Sequence, residues 1–311
     1  MELQARLLDP AQPVRLYGTT PPRFGTPTEA VELAAERLAE RLAPLPIDGV
    51  VVYDIQDEAG RSSQPRPFPF VATLDPREYA RRLAARVEKP VVTYKALGTL
   101  DEAGWRAWLD EARHDYGVRF LSVVGRPTSG VKYPMSLSRA IRLASMPELG
   151  LAVGAVVIAE RHSELRSESA RMLAKSLDGC RYFISQTVYH APPTQALLRD
   201  YLRDCRGAGV EPSRVVLTFA PCGRERTLAF MRWLGVHVPA ETERALFAAA
   251  RPLAKSIEIC RDNLRRILEQ PYVDALPLGI NVESVSIHRD EIDASVELFH
   301  ELQAVLAQAR R

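Results

Sequence analysis

An apolar run, Tyr182–Ser185, stops abruptly at Gln186 and continues through Tyr189 to His190. A buried strand that ends on a glutamine can deliver an amide to a binding site, and an amide presents both a donor and an acceptor. That pairing suits the edge of a heterocycle. Upstream of this run, Arg171 and Lys175 stand four apart in a helical pattern, so they share one face and could grip a phosphate. Asp54 and Glu283 each follow an apolar run, where a carboxylate could give or take a proton. The residue types therefore point to a polar ring as ligand, proton transfer to or from it, and a phosphate-bearing cofactor.

The elements that must position these groups repeat eight times. The apolar, β-branched runs are Val14–Tyr17, Val50–Tyr53, Val91–Tyr94, Phe120–Val124, Leu151–Val157, Tyr182–Ser185, Val215–Phe219 and Gly279–Val282. Segments with helical periodicity lie between them, such as Val31, Ala34, Ala35, Leu38 and Leu42. Thr26-Pro27-Thr28-Glu29, Asp75-Pro76-Arg77-Glu78 and Thr99-Leu100-Asp101-Glu102 carry helix-start signals. Near-continuous apolar strands alternating with helices predict a parallel sheet covered by helices. Eight units in 311 residues favour a closed (β/α)8 TIM barrel, a single domain over 1–311 with residues 1–12 as a lead-in. No Gly-x-Gly-x-x-Gly follows the first strand, which counts against an open dinucleotide-binding sheet.

Composition narrows the partners. A net charge of +2 gives no reason to expect nucleic acid or an anionic membrane. No apolar run reaches the ~18 residues of a bilayer span. The start MELQARLLDP lacks the build of a secretory signal, so a cytoplasmic protein is expected. Cys180, Cys205, Cys222 and Cys260 have no CxxC spacing, and reduced thiols without a metal site are expected. Further copies of the same chain stay open as partners.

In a barrel of this kind, residues just after each strand share one face. That face would collect Gly18 and Thr19, Asp54 and Gln56, Tyr94 and Lys95, Arg126, Glu160 and His162, Gln186 and Tyr189, Cys222, Asn281 and Glu283. Gln186, Gln56, Arg126, Tyr189 and Glu283 are the expected substrate-binding set. Tyr53, at the end of the second strand, joins the cofactor side. The long Pro-, Arg- and Ser-rich stretch from Ile55 to Leu74 is expected to be functional or mobile.

With these residues placed, the chain resembles the methylenetetrahydrofolate reductase family over roughly Val14 to Ala307. Lys175-Ser-Leu-Asp-Gly-Cys-Arg-Tyr-Phe-Ile-Ser-Gln186 is similar to the family's lysine, Asp-Ala-Gly-Ala and Ile-Thr-Gln segment, with the same lysine-to-glutamine spacing. Gly235-Val-His-Val-Pro239, Ala159-Glu160-Arg161-His162 and Thr20-Pro21-Pro22 resemble other family segments. The resemblance implies a barrel that binds FAD at its strand ends. It implies reduction of methylenetetrahydrofolate with hydride from NAD(P)H. It places Gln186 on the pterin, Lys175, Glu168 and Arg171 along the flavin, and His162 facing it.

Three positions depart from the family pattern. Gly18 stands where the family carries a proton-donating glutamate, Arg126 where it has an aspartate, and Val91 where it has a histidine. Hydride can reach the one-carbon unit only after the imidazolidine ring opens, and opening needs an acid worth ~10²–10⁴ in rate. Asp54 is the expected substitute, with Asp57 and Glu283 as the other carboxylates in reach. Three functions follow. One is a folate-reducing oxidoreductase. The second is a family member without reductase activity that binds folate or flavin as a partner subunit or acts on another substrate. The third is a barrel lyase or aldolase with Lys95 as a Schiff base.

Overall fold

A computed structural model describes residues 3–57, 65–125, 134–163 and 165–309. The elements in order are α1 (Leu3–Leu8), β1 (Val14–Thr19), α2 (Thr28–Leu42), β2 (Gly49–Val52), α3 (Pro76–Val87), β3 (Val91–Ala96) and α4 (Glu102–His114). Then come β4 (Phe120–Val124), α5 (Leu137–Ala144), β5 (Ala152–Val157), α6 (Glu168–Leu177), β6 (Tyr182–Thr187) and α7 (Ala191–Ala208). The chain finishes with β7 (Arg214–Phe219), α8 (Glu225–Trp233), α9 (Ala240–Ala248), α10 (Pro252–Leu268), β8 (Leu278–Glu283) and α11 (Arg289–Gln308). The eight strands pair in sequence order, all parallel, and β8 closes onto β1. The expected (β/α)8 barrel is the observed fold.

Side-chain alternation sorts two cores. Val14, Leu16, Val51, Val92, Phe120, Tyr182, Ile184 and Val216 point into the barrel. The intervening strand residues pack outward on the helices, in a cluster that includes Val50, Val52, Leu121, Phe183 and Leu217. The interior admits Tyr182 because β5 offers Gly154: a side-chain carbon there would lie 2.2 Å from the Tyr182 ring.

The lead-in differs from expectation. Leu3–Leu8 is a helix whose Leu3 and Leu7 join the barrel interior and close its N-terminal end. Arg214, 1% exposed, fastens that helix. Its guanidinium donates to the carbonyls of Leu7 (3.2 Å), Arg6 (2.9 Å), Leu278 (2.9 Å) and Asp9. An arginine at the start of a strand gave no sequence signal of this role.

Helix starts follow the sequence in part. Asp75 caps α3 by accepting from Arg77 N, and Asp101 caps α4 by accepting from Gly104 N. At α2 the cap position is Pro27, and the Thr26 hydroxyl turns back to donate to Arg23 O instead. All four cysteines are buried and free. Among the described residues, no helix is long and apolar enough to cross a membrane, and no His, Cys, Asp or Glu cluster could hold a metal ion.

Candidate functional site

A cavity of about 670 Å³ opens at the C-terminal mouth of the barrel. Strand ends supply Thr19, Tyr53, Asp54, Gln186 and Glu283 to its wall. The helix layer adds Arg171 and Lys175 of α6, and Phe230 and Trp233 of α8.

The floor lies at the β8–β1–β2 seam. Glu283 on β8 is the register partner of Gly18 on β1. Gly18 has no side chain because Tyr53 occupies the space: a carbon built there would lie 2.6 Å from the Tyr53 hydroxyl. That hydroxyl accepts from Asn281 Nδ2 (2.8 Å), and Asn281 also donates to Thr218 Oγ1 (3.3 Å). Thr187 donates to Glu283 Oε1 at 3.2 Å, and Tyr53 also hydrogen-bonds to this carboxyl. Glu283 keeps a face on the cavity while protein encloses the rest. Burial raises its pKa, and the bonds from Tyr53 and Thr187 lower it only in part. The same enclosure, with the Glu283 charge beside it, pushes the Tyr53 phenol well above its usual value. A carboxyl in such a setting holds its proton at higher pH than an exposed glutamate does.

Asp54 also reaches the cavity, yet its carboxylate is committed locally. It accepts from Gln56 Nε2 (2.7 Å) and Ala96 N (2.8 Å), and Lys95 Nζ lies 3.7 Å away. These contacts tie the end of β2 to the end of β3. Gln56 serves the same brace while lining the cavity.

Gln186 is aimed by an irregularity. The β6–β7 register shifts between Ile184 and Thr187, and Ser185 Oγ fills the gap by accepting from Thr218 N at 2.9 Å. Extra length of this kind turns a side chain out of strict alternation. Gln186 Nε2 donates to Leu234 O at 2.8 Å, which leaves its Oε1 for a ligand donor.

The opposite end of the cavity is charged. Ser167 caps α6 by accepting from Ala170 N. Glu168, 3% exposed, pairs with Arg171 at 3.3 Å. Lys175 turns inward and donates to Val156 O at 2.9 Å. Burial lowers its pKa, opposed by the charge of Glu168. Arg161 lines the same end.

Not every expected residue is here. The Tyr189 side chain is buried beneath the mouth, 1% exposed, and donates to Ala220 O at 2.8 Å. His162 turns to α7, with Nε2 3.0 Å from Asp200, and is absent from the cavity lining. Lys95 follows the inward-facing Tyr94 and so faces the helix layer, with Nζ 5.5 Å from the Trp108 ring centroid. Lys95 is not among the residues that line the cavity. Arg126 lies outside the described residues. Conversely, Arg66, Arg161, Phe230 and Trp233 line the wall without having been expected there. Arg161 sits between the expected Glu160 and His162 in the turn after β5, whereas Arg66, in the loop after β2, and Phe230 and Trp233, on α8, lie beyond the reach of a strand-end rule.

No protein-family model matches the sequence, and no curated protein matches it. Among solved structures, the chain is similar to an uncharacterized protein from Clostridium thermocellum that binds two copies of 5-methyl-5,6,7,8-tetrahydrofolic acid. Identity is 28%, the match covers 97% of this chain and 99% of that one, and the TM-score is 0.82. Oxaloacetate acetylhydrolase, in complex with its product oxalate, matches at 14% identity over 90% of this chain and 78% of that one, with a TM-score of 0.49.

Proposed function

We propose that this protein binds a reduced folate at the barrel mouth and reduces its one-carbon unit with hydride from NAD(P)H. The observation that carries the reading is the likeness, over nearly all of both chains, to a protein that binds a methylated tetrahydrofolate. In this reading Gln186 offers Oε1 to the pterin ring, with Asp54 and Gln56 across the barrel mouth from it.

Ring opening of a methylene-bridged folate breaks a carbon–nitrogen bond, and the departing nitrogen takes a proton. Hydride then adds to the freed one-carbon unit to give the methyl group. We assign the proton to Glu283 rather than Asp54. Asp54 is occupied by three donor groups, whereas Glu283 faces the cavity with a raised pKa. Tyr53 holds the Glu283 carboxyl in place across the space left by Gly18.

The charged end supports a diphosphate-bearing cofactor. Arg171 and Lys175 stand there beside the carboxylate of Glu168, and the other lining carboxylate, Asp178, is paired with Arg142 at 2.7 Å. FAD is the carrier we propose there, and when bound it would take hydride from the nicotinamide and pass it to the folate. Arg171 and Lys175 would face its phosphates.

A second reading is folate binding without reduction. The absence of a carboxylate at Gly18 favours it, as does a structural neighbour described only by binding. The two separate in one experiment. The purified protein is examined for flavin absorption before and after adding FAD, then mixed with methylenetetrahydrofolate and NADH or NADPH. Nicotinamide oxidation that depends on the folate supports reduction. Tight folate binding with no oxidation under either nicotinamide establishes the second reading.

A further inference from the structure

Arg66 is built into the cavity wall as a cation that meets no carboxylate among the described residues. Its guanidinium carbon lies 4.8 Å from the Trp233 ring centroid, 5.4 Å from that of Phe70 and 5.5 Å from that of Phe230. The loop that carries it is pinned to α8. Arg226 donates to Pro67 O at 2.9 Å and covers the Phe68 ring at 4.6 Å, and Phe68 meets Phe230 edge-on. The Nε and Nη1 donors of Arg66 are buried, and no acceptor bonds to either. No carboxylate pairs with Arg66 among the described residues. A guanidinium cannot shed its charge, and leaving its donors dry and unpaired is costly. Aromatic faces hold the cation in place but accept no conventional hydrogen bond from it.

The position says which anion completes it. Arg66 and Trp233 share the cavity with Gln186, whose amide is bonded to the residue after Trp233. The phosphate-suited cations Arg171 and Lys175 come from a different element, α6. From the reading above, a folate with its pterin at Gln186 must extend its tail along one wall, and that tail ends in carboxylates. We propose that Arg66, backed by Phe70, Phe230 and Trp233, is the subsite for a carboxylate of the folate glutamyl tail. The aromatic rims also give the aminobenzoyl ring apolar surface to lie against.

This inference rests on the folate reading, and one set of titrations separates the two. Wild type and Arg66→Ala are titrated with 5-methyltetrahydrofolate, with the tail-less methyltetrahydropterin, and with NADPH and FAD. Melting curves confirm that the variant is folded, and Arg66→Lys serves as a second variant that keeps the charge. We expect Arg66→Ala to weaken the folate 10- to 100-fold, leave the pterin within twofold, and leave NADPH and FAD unchanged. Arg66→Lys should fall between. Equal loss for folate and pterin, or no loss for either, overturns the carboxylate assignment while the folate reading stands. Loss confined to NADPH or FAD makes the subsite a phosphate site and also overturns it. Failure of wild type to bind either pterin compound overturns the folate reading itself.

Discussion

Gly18 and Glu283 are cross-strand partners at the seam that closes the barrel, one without a side chain and the other with the carboxyl its neighbour lacks. Between them stands Tyr53, filling the space over Gly18 and bonded to Glu283. A carboxyl that the resemblance leads one to expect at position 18 is found instead at its register partner one strand away.

Glu283→Gln should therefore lower turnover by ~10²–10⁴-fold while changing folate affinity little. Folate-dependent NAD(P)H oxidation and equilibrium binding measure the two effects separately. Full activity in the variant would remove Glu283 from proton delivery and return attention to Asp54.

The pH dependence has a definite sign. Burial raises the Glu283 pKa, so its neutral form survives at pH values where an exposed glutamate is charged. Proton donation should fall as pH climbs through that raised value. Stability follows the same direction. A folded-state pKa above the unfolded one gives stability that is complete below the unfolded value and is lost as pH rises through the folded value. Melting temperature against pH should drop more steeply for wild type than for Glu283→Gln across this window. Superimposable profiles would contradict the assignment.

Gly18→Ala should destabilise the protein by ~1–3 kcal/mol, because its new carbon would lie 2.6 Å from the Tyr53 hydroxyl. Combining it with Tyr53→Ala should cost less than the sum of the two changes, since the second vacates the contested space. Urea unfolding of the four proteins gives the coupling. Simple additivity would mean that Tyr53 does not hold that space.

Asp54→Asn should act mainly on stability. One oxygen of the carboxylate becomes a donor, which conflicts with Gln56 Nε2 or with Ala96 N. The expected cost is ~1–3 kcal/mol. A turnover loss larger than that of Glu283→Gln, at preserved stability, would reverse the roles of the two acids.

Arg171→Ala should weaken a diphosphate cofactor about tenfold, as expected for one charge-assisted contact. It should leave folate affinity intact. Fluorescence titration with NADPH and with FAD identifies which cofactor depends on it. Indifference of both would place the phosphates elsewhere.

Much of this was legible in the sequence. Eight apolar runs alternating with helical segments specified the barrel, and those that stop at a polar residue placed Asp54, Gln186 and Glu283 near its mouth. Strand periodicity reads which residues face inward, but it assumes regular pairing. The register shift at Ser185 breaks that assumption, so the aim of Gln186 could not be read. Gln186 lies within β6, whereas Tyr189 and His162 lie beyond their strands, where backbone turns send them to Ala220 O and Asp200. Proximity in sequence to a strand end does not fix direction. Arg66 was invisible for another reason. Its place depends on long-range packing of a proline-rich loop against α8, and a composition of Arg, Pro and Phe does not encode which helix it meets. The anchor of α8 is equally distant. Glu291, at the start of α11 and 0% exposed, accepts from Gly223 N at 2.8 Å and Thr227 Oγ1 at 3.0 Å.

The helix that plugs the foot of the barrel has a kinetic corollary. With Leu3 and Leu7 filling one end, the C-terminal mouth is the doorway for anything that reaches the interior. If the proposed reduction takes place, folate and hydride donor would queue at the same threshold, and a departing product would have to clear it before the next arrival. Excess folate should therefore slow its own conversion by standing in the nicotinamide's way, and raising the nicotinamide concentration should restore the rate.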